Sequence, residues 1–307
     1  MDIRPTHRRA LRTAPLLSLV LGAGLAVPFA LPGPADAATT TTTTTTATTT
    51  SNTATAGFDT TGRTVVYTAG AGQANEATVT ASTAAGSDRI TYVIDDVAPI
   101  DVTTGCAHPD AADPTRVSCT VTTVESQDPY ASLKVNAGDG DDTVTYDNTT
   151  GQTYYYAAID LGAGADRLTD TGSVDGNSVR GGAGDDTIGV GRAAVVLGDD
   201  GADTVTAKGG GAVVLGGADN DTLTATGDGS SVSGGDGDDE IRGGAKDQNL
   251  AGDAGHDTIR AGAGNDHLDG GEGDDILYGG KGDDTLYGGP GTDELHGGPG
   301  TNVIVQD

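Results

Sequence analysis

Gly279-Gly280-Lys281-Gly282-Asp283-Asp284-Thr285-Leu286-Tyr287 is the clearest of eight nine-residue units that run without a gap from Gly234 to Val305, beginning at Gly234, Gly243, Gly252, Ala261, Gly270, Gly279, Gly288 and Gly297. Each position has a physical task. Glycines at positions one, two and four allow the positive φ angles of a tight turn. Asp at position six offers a hard oxygen ligand, and the aliphatic residue at position eight, between two polar ones, is placed to point inward from a short strand. A single glycine-rich match would mean little, whereas eight units in one register define an architecture.

The unit Gly-Gly-x-Gly-x-Asp-x-aliphatic-x resembles the RTX, or haemolysin-type, calcium-binding nonapeptide. The resemblance covers roughly residues 137–305 and implies an all-β fold: a C-terminal parallel β-roll in which two nonapeptides make one 18-residue coil, six residues turning around calcium and three forming a strand. Upstream of Gly234 the obvious units begin at Gly181, Gly198 and Gly216. Between them lie half-units that have lost the sixth-position Asp but keep Val196, Val214 and Val232 at position eight. The coil therefore persists, with one inward ladder of Ile188, Val205, Leu223, Ile241, Ile259, Leu277 and Leu295. A second ladder runs Val179, Val196, Val214, Val232, Leu250, Leu268, Leu286 and Ile304.

The same indexing separates two edges. Sixth positions on one are Asp186, Asp203, Asp221, Asp239, Asp257, Asp275 and Asp293; on the other they are Ala194, Ala212, Ser230, Gln248, Asp266, Asp284 and Asn302. This predicts one long calcium file and one short file, at Asp266 and Asp284, near the C-terminal end. Asp199 and Asp253 replace the second Gly and Asp219 the fourth, substitutions that a positive φ tolerates better in Asp than in most residues. Asp142 and Asp166 sit in less regular units at the entrance.

The chain before the repeats divides by composition. Residues 1–37 read as a cleaved signal peptide: Arg4, Arg8, Arg9 and Arg12, then a mostly apolar run from Ala14 to Leu31, then Ala35-Asp36-Ala37. The export route, general or twin-arginine, stays open. Residues 38–56 are a Thr-rich linker without apolar periodicity. From 57 to 136, alternation such as Arg89-Ile90-Thr91-Tyr92-Val93-Ile94 predicts a small β domain of short strands. Its Cys106 and Cys119, the chain's two cysteines, are expected to form a disulfide in an exported protein. The repeat domain then occupies 137–307.

Composition excludes much else. Of 307 residues 51 are Gly, 45 are acidic against 16 basic, and there is no Trp. A net charge of -29 argues against nucleic acid as a partner, and no membrane span remains in the mature chain. No His-Glu-x-x-His, Gly-x-Ser-x-Gly or phosphate-loop motif occurs, so the reading is not that of an enzyme. His256, His267 and His296 occupy different unit positions and read as surface side chains, and Tyr278 and Tyr287 should face outward. Calcium, as several ions, is the expected cofactor of a secreted, extracellular or cell-surface protein acting as a structural or interaction module. Its further partner, a cell-surface or glycan ligand, is unidentified, and the exposed Val303-Ile304-Val305 end permits end-to-end self-association. The alternative is an adhesive or ice-binding surface built on Thr204-Val205-Thr206 and Thr222-Leu223-Thr224, an array that ends at Glu240-Ile241-Arg242. A secreted enzyme would need residues 57–136 to be catalytic.

Stacked carboxylates about 5 Å apart would each repel the next by about 3 kcal/mol at an effective dielectric near 20. A thin aliphatic core cannot offset a whole file of such pairs. Chelation with EDTA is therefore expected to remove the β circular dichroism of residues 152–307, and millimolar calcium, unlike magnesium, to restore it. An unchanged spectrum on chelation would exclude the coupling.

Overall fold

The computed structural model describes residues 53–123, 130–151, 155–172 and 176–306. The expected signal peptide and most of the expected linker lie outside them. Every regular element among the described residues is a β-strand, twenty-six in all, and the strands form two 13-stranded sheets. None of the described residues forms a helix long and apolar enough to cross a membrane.

The repeat half builds both sheets by the rule its sequence suggests. Each half-coil turns on glycine and then extends for a few residues, so successive strands fall alternately into one sheet and the other, all parallel within each sheet. The inward ladders are in register. Val179, Val196, Val214, Val232, Leu250, Leu268, Leu286 and Ile304 stand opposite one another along one sheet. Ile188, Val205, Leu223, Ile241, Ile259, Leu277 and Leu295 do so along the other. All are buried except Leu295, which is partly covered, and Ile304, which is 50% exposed.

The backbones of neighbouring turns touch. At Gly217, with φ of 132°, an added Cβ would lie 2.0 Å from the carbonyl oxygen of Asp199 in the coil before. Asp199, Asp219 and Asp253 themselves hold φ of 76°, 73° and 76°, so aspartate does adopt the left-handed turn conformation where it replaces glycine.

Nine strands at the start are named here: β1 (Ala54–Phe58), β2 (Val65–Thr68), β3 (Glu76–Ser82), β4 (Arg89–Asp95), β5 (Ile100–Val102), β6 (Cys106–Ala107), β7 (Arg116–Thr122), β8 (Tyr130–Asn136) and β9 (Thr143–Asn148). β2 pairs in parallel with β8, setting Tyr67 opposite Val135, and β3 pairs in parallel with β9, setting Ala77 opposite Val144. Residues 65–78 therefore make one more coil in the register of the roll, although no acidic nonapeptide announces it. The chain then leaves the roll. β4 runs antiparallel to β3, β7 to β4 and β6 to β7, while β1 runs antiparallel to β2 and parallel to β5.

Two boundaries drawn from composition thus do not match the hydrogen-bonded fabric. The division at 136/137 falls inside two continuous sheets, because backbone hydrogen bonds between strands, which need no acidic turn, are what join a strand to a sheet. Ala54–Ala56, assigned to the linker, belong to β1, where Ala54 and Ala56 are buried small residues and the strand pairs with β2. The aromatic content is concentrated at this end: Tyr67, Tyr92 and Tyr146 are fully buried. Tyr67 donates through its Oη to Asp96 Oδ2 at 2.6 Å, and the Tyr92 hydroxyl pairs with Ser132 Oγ at 2.6 Å. The Cys106–Cys119 disulfide ties β6 to β7.

Because Leu223 is completely enclosed while Ile304 is half exposed, Leu223→Ala should destabilise the calcium-loaded protein by about 2–5 kcal/mol and Ile304→Ala by far less. Denaturant melts in saturating calcium measure both, and equal losses would contradict a continuous closed core.

Candidate metal centre

The sixth residue of each unit enters the turn just before its strand and is held by the coil before it. The N–H of Asp186 donates to Asp203 Oδ1 at 2.8 Å, Asp203 to Asp221 at 2.7 Å and Asp221 to Asp239 at 2.7 Å. The ladder continues from Asp239 to Asp257 and from Asp257 to Asp275, both at 2.8 Å, and from Asp275 to Asp293 at 3.1 Å. One carboxylate oxygen per turn is thereby satisfied. The other, Oδ2, is buried and meets no donor at any of these seven residues.

The environment of that second oxygen can be read from the first glycine of each unit. A Cβ added to Gly216 would lie 2.1 Å from Asp221 Oδ2 and 2.4 Å from the carbonyl oxygen of Gly234 in the next coil. Gly198 stands in the same relation to Asp203 and Gly216, Gly234 to Asp239 and Gly252, and Gly252 to Asp257 and Gly270. A carboxylate oxygen and a main-chain carbonyl oxygen thus lie together beside the glycine Cα, and the carboxylate oxygen meets no N–H or O–H donor. Buried acceptors without donors are costly, and a hard divalent cation is the partner whose chemistry suits an all-oxygen set. No group of three His, Cys, Asp or Glu side chains suited to a metal occurs among the described residues.

The opposite edge is acidic only near its C-terminal end. Gln248 N–H donates to Asp266 Oδ1, Asp266 to Asp284 and Asp284 to Asn302, each at 2.9 Å, and Oδ2 of Asp266 and of Asp284 is again buried without a donor. Gln248 closes this ladder because its own amide is satisfied at both ends, accepting from Gly244 N–H at 3.0 Å and donating to the Gly227 carbonyl at 3.1 Å. Beyond it Ala194 and Ala212 are buried apolar groups in the corresponding places.

A second ladder, at position five, was not anticipated. It runs in the opposite sense: the N–H of the later coil donates to the side chain of the earlier one. His256 N–H reaches Asp238 Oδ1 at 2.8 Å, Asp274 N–H reaches His256 Nδ1 at 2.9 Å and Thr292 N–H reaches Asp274 Oδ1 at 2.8 Å. Asp247, Asn265 and Asp283 do the same on the other edge. The signal was visible as a recurrent Asp, Asn or His before the conserved position, each a short side chain with an acceptor. His256 is exposed as expected, yet it is also a rung. Tyr278 faces outward, with Arg260 over its ring at 5.3 Å and His296 stacked on it at 4.8 Å.

Burial is the main force on the carboxyls of Asp186, Asp203, Asp221, Asp239, Asp257, Asp266 and Asp275, all raised, and carboxylates on adjoining positions add to it. Asp186, Asp203, Asp239 and Asp266 are pushed up to about 6, and Asp221 and Asp257 to about 7, from an ordinary value of 3.8. The hydrogen bond each accepts from the backbone offsets only part of this.

A family model described as the RTX calcium-binding nonapeptide repeat matches the chain in four copies, over residues 171–192, 215–247, 242–277 and 269–304. The chain carries RTX calcium-binding repeats. No curated protein and no solved structure matches it. The RTX matches span the turns in which Asp186, Asp221, Asp239, Asp257, Asp266, Asp275, Asp284 and Asp293 lie, while Asp203 falls between the first and second copies yet occupies the same rung.

In the RTX turns without calcium, a folded pKa above the unfolded one means that the folded state holds more protons between about pH 4 and 7. Stability of the metal-free roll therefore falls as pH rises through that window and is regained on acidification. In chelator, the β circular dichroism of the repeat half should be greater at pH 5 than at pH 7.5. A signal that rises with pH in chelator would contradict the burial of these carboxyls.

Proposed function

We propose that this is a secreted calcium-binding protein whose repeat domain folds on binding calcium and serves as a structural or interaction module. Asp186, Asp203, Asp221, Asp239, Asp257, Asp275 and Asp293 ligate the long file, and Asp266 and Asp284 the short one. One observation carries the reading: nine buried Oδ2 atoms, each without a hydrogen-bond donor. Each carboxylate supplies one oxygen to the backbone ladder and one to the ion, so adjacent coils share a charge that would otherwise drive them apart. For an extracellular module of this kind a dissociation constant of about 0.1–1 mM is expected. The basic, apolar and small-residue succession of residues 1–37 and the Cys106–Cys119 bond support export to an oxidising compartment.

A second reading, an adhesive or ice-binding face, gains one observation. Outward Thr residues lie in register over more strands than the two rungs visible in sequence: Thr143 and Thr145, then Thr169, Thr187, Thr204 with Thr206, and Thr222 with Thr224. Arg167 and Gly189 interrupt the two columns, so the face is neither flat nor uniform. A thermal-hysteresis assay separates this reading from the first, and pull-down of cell-wall glycans with and without calcium tests for a ligand of either.

The decisive experiment titrates calcium into the chelated protein while calorimetry counts ions and sedimentation follows compaction. Several ions are expected, bound cooperatively and together with contraction. The Asp221→Asn, Asp239→Asn double variant should need a several-fold higher calcium concentration at the midpoint. A parent protein that binds no calcium, or that is equally compact without it, would overturn the reading.

A further inference from the structure

The long file of buried carboxylates does not begin where the repeats become regular. Asp186 Oδ1 accepts from Asp166 N–H at 2.9 Å, and Asp166 Oδ1 accepts from Asp142 N–H at 2.7 Å. Asp142 Oδ1 in turn accepts from the N–H of Asn75 at 2.6 Å and from its Nδ2 at 3.1 Å, across 67 positions of sequence. Glu76 stands opposite Thr143, so Asn75 occupies the sixth position of a cryptic unit one coil further out.

Two observations at this end point to a ligand. Asp166 Oδ2 and Asp142 Oδ2 are buried without a donor, as in the regular turns, and so is Asn75 Oδ1; the three residues are 2%, 1% and 2% exposed. The orientation of the Asn75 amide is set by its neighbours, because Nδ2 donates both to Asp142 Oδ1 and to the Gln73 carbonyl, and a flipped amide would place oxygen against oxygen. Moreover, the turn 138–142 is packed on the turn 72–75 as one calcium turn packs on the next. Gly140 takes φ of 120°, a Cβ on it would lie 2.6 Å from the Gln73 carbonyl oxygen, and Gly72 N–H donates to Asp139 Oδ1 at 2.6 Å.

We propose that the long calcium file extends through Asp166 and Asp142 to Asn75, and that its terminal ion joins the N-terminal strand region to the roll. This rests on the calcium reading of the regular turns. Asn75 supplies a neutral carboxamide oxygen where the next coil would supply a carboxylate, which ends the file without a further unpaired charge. None of the three residues falls within a segment that the RTX repeat model matches. The consequence is that β3, and through it the antiparallel strands that follow, docks in a calcium-dependent manner.

Native mass spectrometry of the full chain in calcium counts the ions directly. The Asp142→Asn, Asp166→Asn double variant keeps an acceptor for the backbone ladder and should lose two or more ions relative to the parent; a loss of fewer than two overturns the extension. Hydrogen exchange on the parent protein provides a test that needs no variant. Amides of β3 should lose protection by about tenfold or more on chelation, and unchanged protection overturns the proposal. A parent that binds no calcium at all sinks the reading of the regular turns as well, so the two failures are told apart.

Discussion

Each sixth-position aspartate of the roll from Asp186 onward, among the described residues, encloses a carboxylate oxygen that no N–H or O–H reaches. Its partner oxygen is fixed by the backbone of the preceding coil, so the side chain cannot swing out to water without breaking the ladder that aligns the coils. Burial and like charges on adjoining positions both work against ionisation, which is why Asp221 and Asp257 are raised well above the ordinary aspartate value. A proton removes the charge, whereas calcium uses it. In the proposed reading the cation takes up the ionised aspartate at the seam between two coils.

The rest of the roll accommodates that seam. The turns of neighbouring coils stack backbone on backbone, which leaves room for glycine, or for aspartate in a left-handed conformation, and for little else. Strands of three to nine residues then present a single inward aliphatic row to each side, and rows from the two sheets make a core one side chain deep on each face. Such a core has few large contacts to lose or gain, so its stability is governed by the edges. The two edges solve the problem differently. One keeps an aspartate in every coil from Asp142 onward; the other replaces it with buried Ala194 and Ala212, and Gln248, satisfied at both ends of its amide, marks the transition.

At the N-terminal end the same sheets change character. Parallel pairing gives way to antiparallel pairing, and the side chains filling the interior become Tyr67, Tyr92 and Tyr146, whose rings occupy the space that two stacked aliphatic rows fill elsewhere. Antiparallel strands need no glycine turn and no ion between them. A region of ordinary hydrogen bonds and one disulfide thus closes a roll otherwise held by electrostatics, and Asn75 stands where one mode meets the other.

Nine-residue spacing, the recurrent Asp at position six and the aliphatic residue at position eight determined both inward ladders and the unequal acidity of the two edges, and through their resemblance to the RTX nonapeptide they implied the all-β class and the 18-residue coil. They suffice because a repeat fixes its own register: each unit must meet its neighbour in the same way. What only the tertiary structure decided lies where that logic lapses. The coil at residues 65–78 has Asn, Gln and Ala in the turn and Tyr67 inside, and only strand pairing across 67 positions shows it to be part of the roll. The ladder at position five, the role of Gln248 and the division of labour between Oδ1 and Oδ2 likewise depend on which backbone group faces each atom. Sequence periodicity specifies which residues share an edge, but a hydrogen bond between coils is a relation between atoms of different turns, and that is settled only when the coils are stacked.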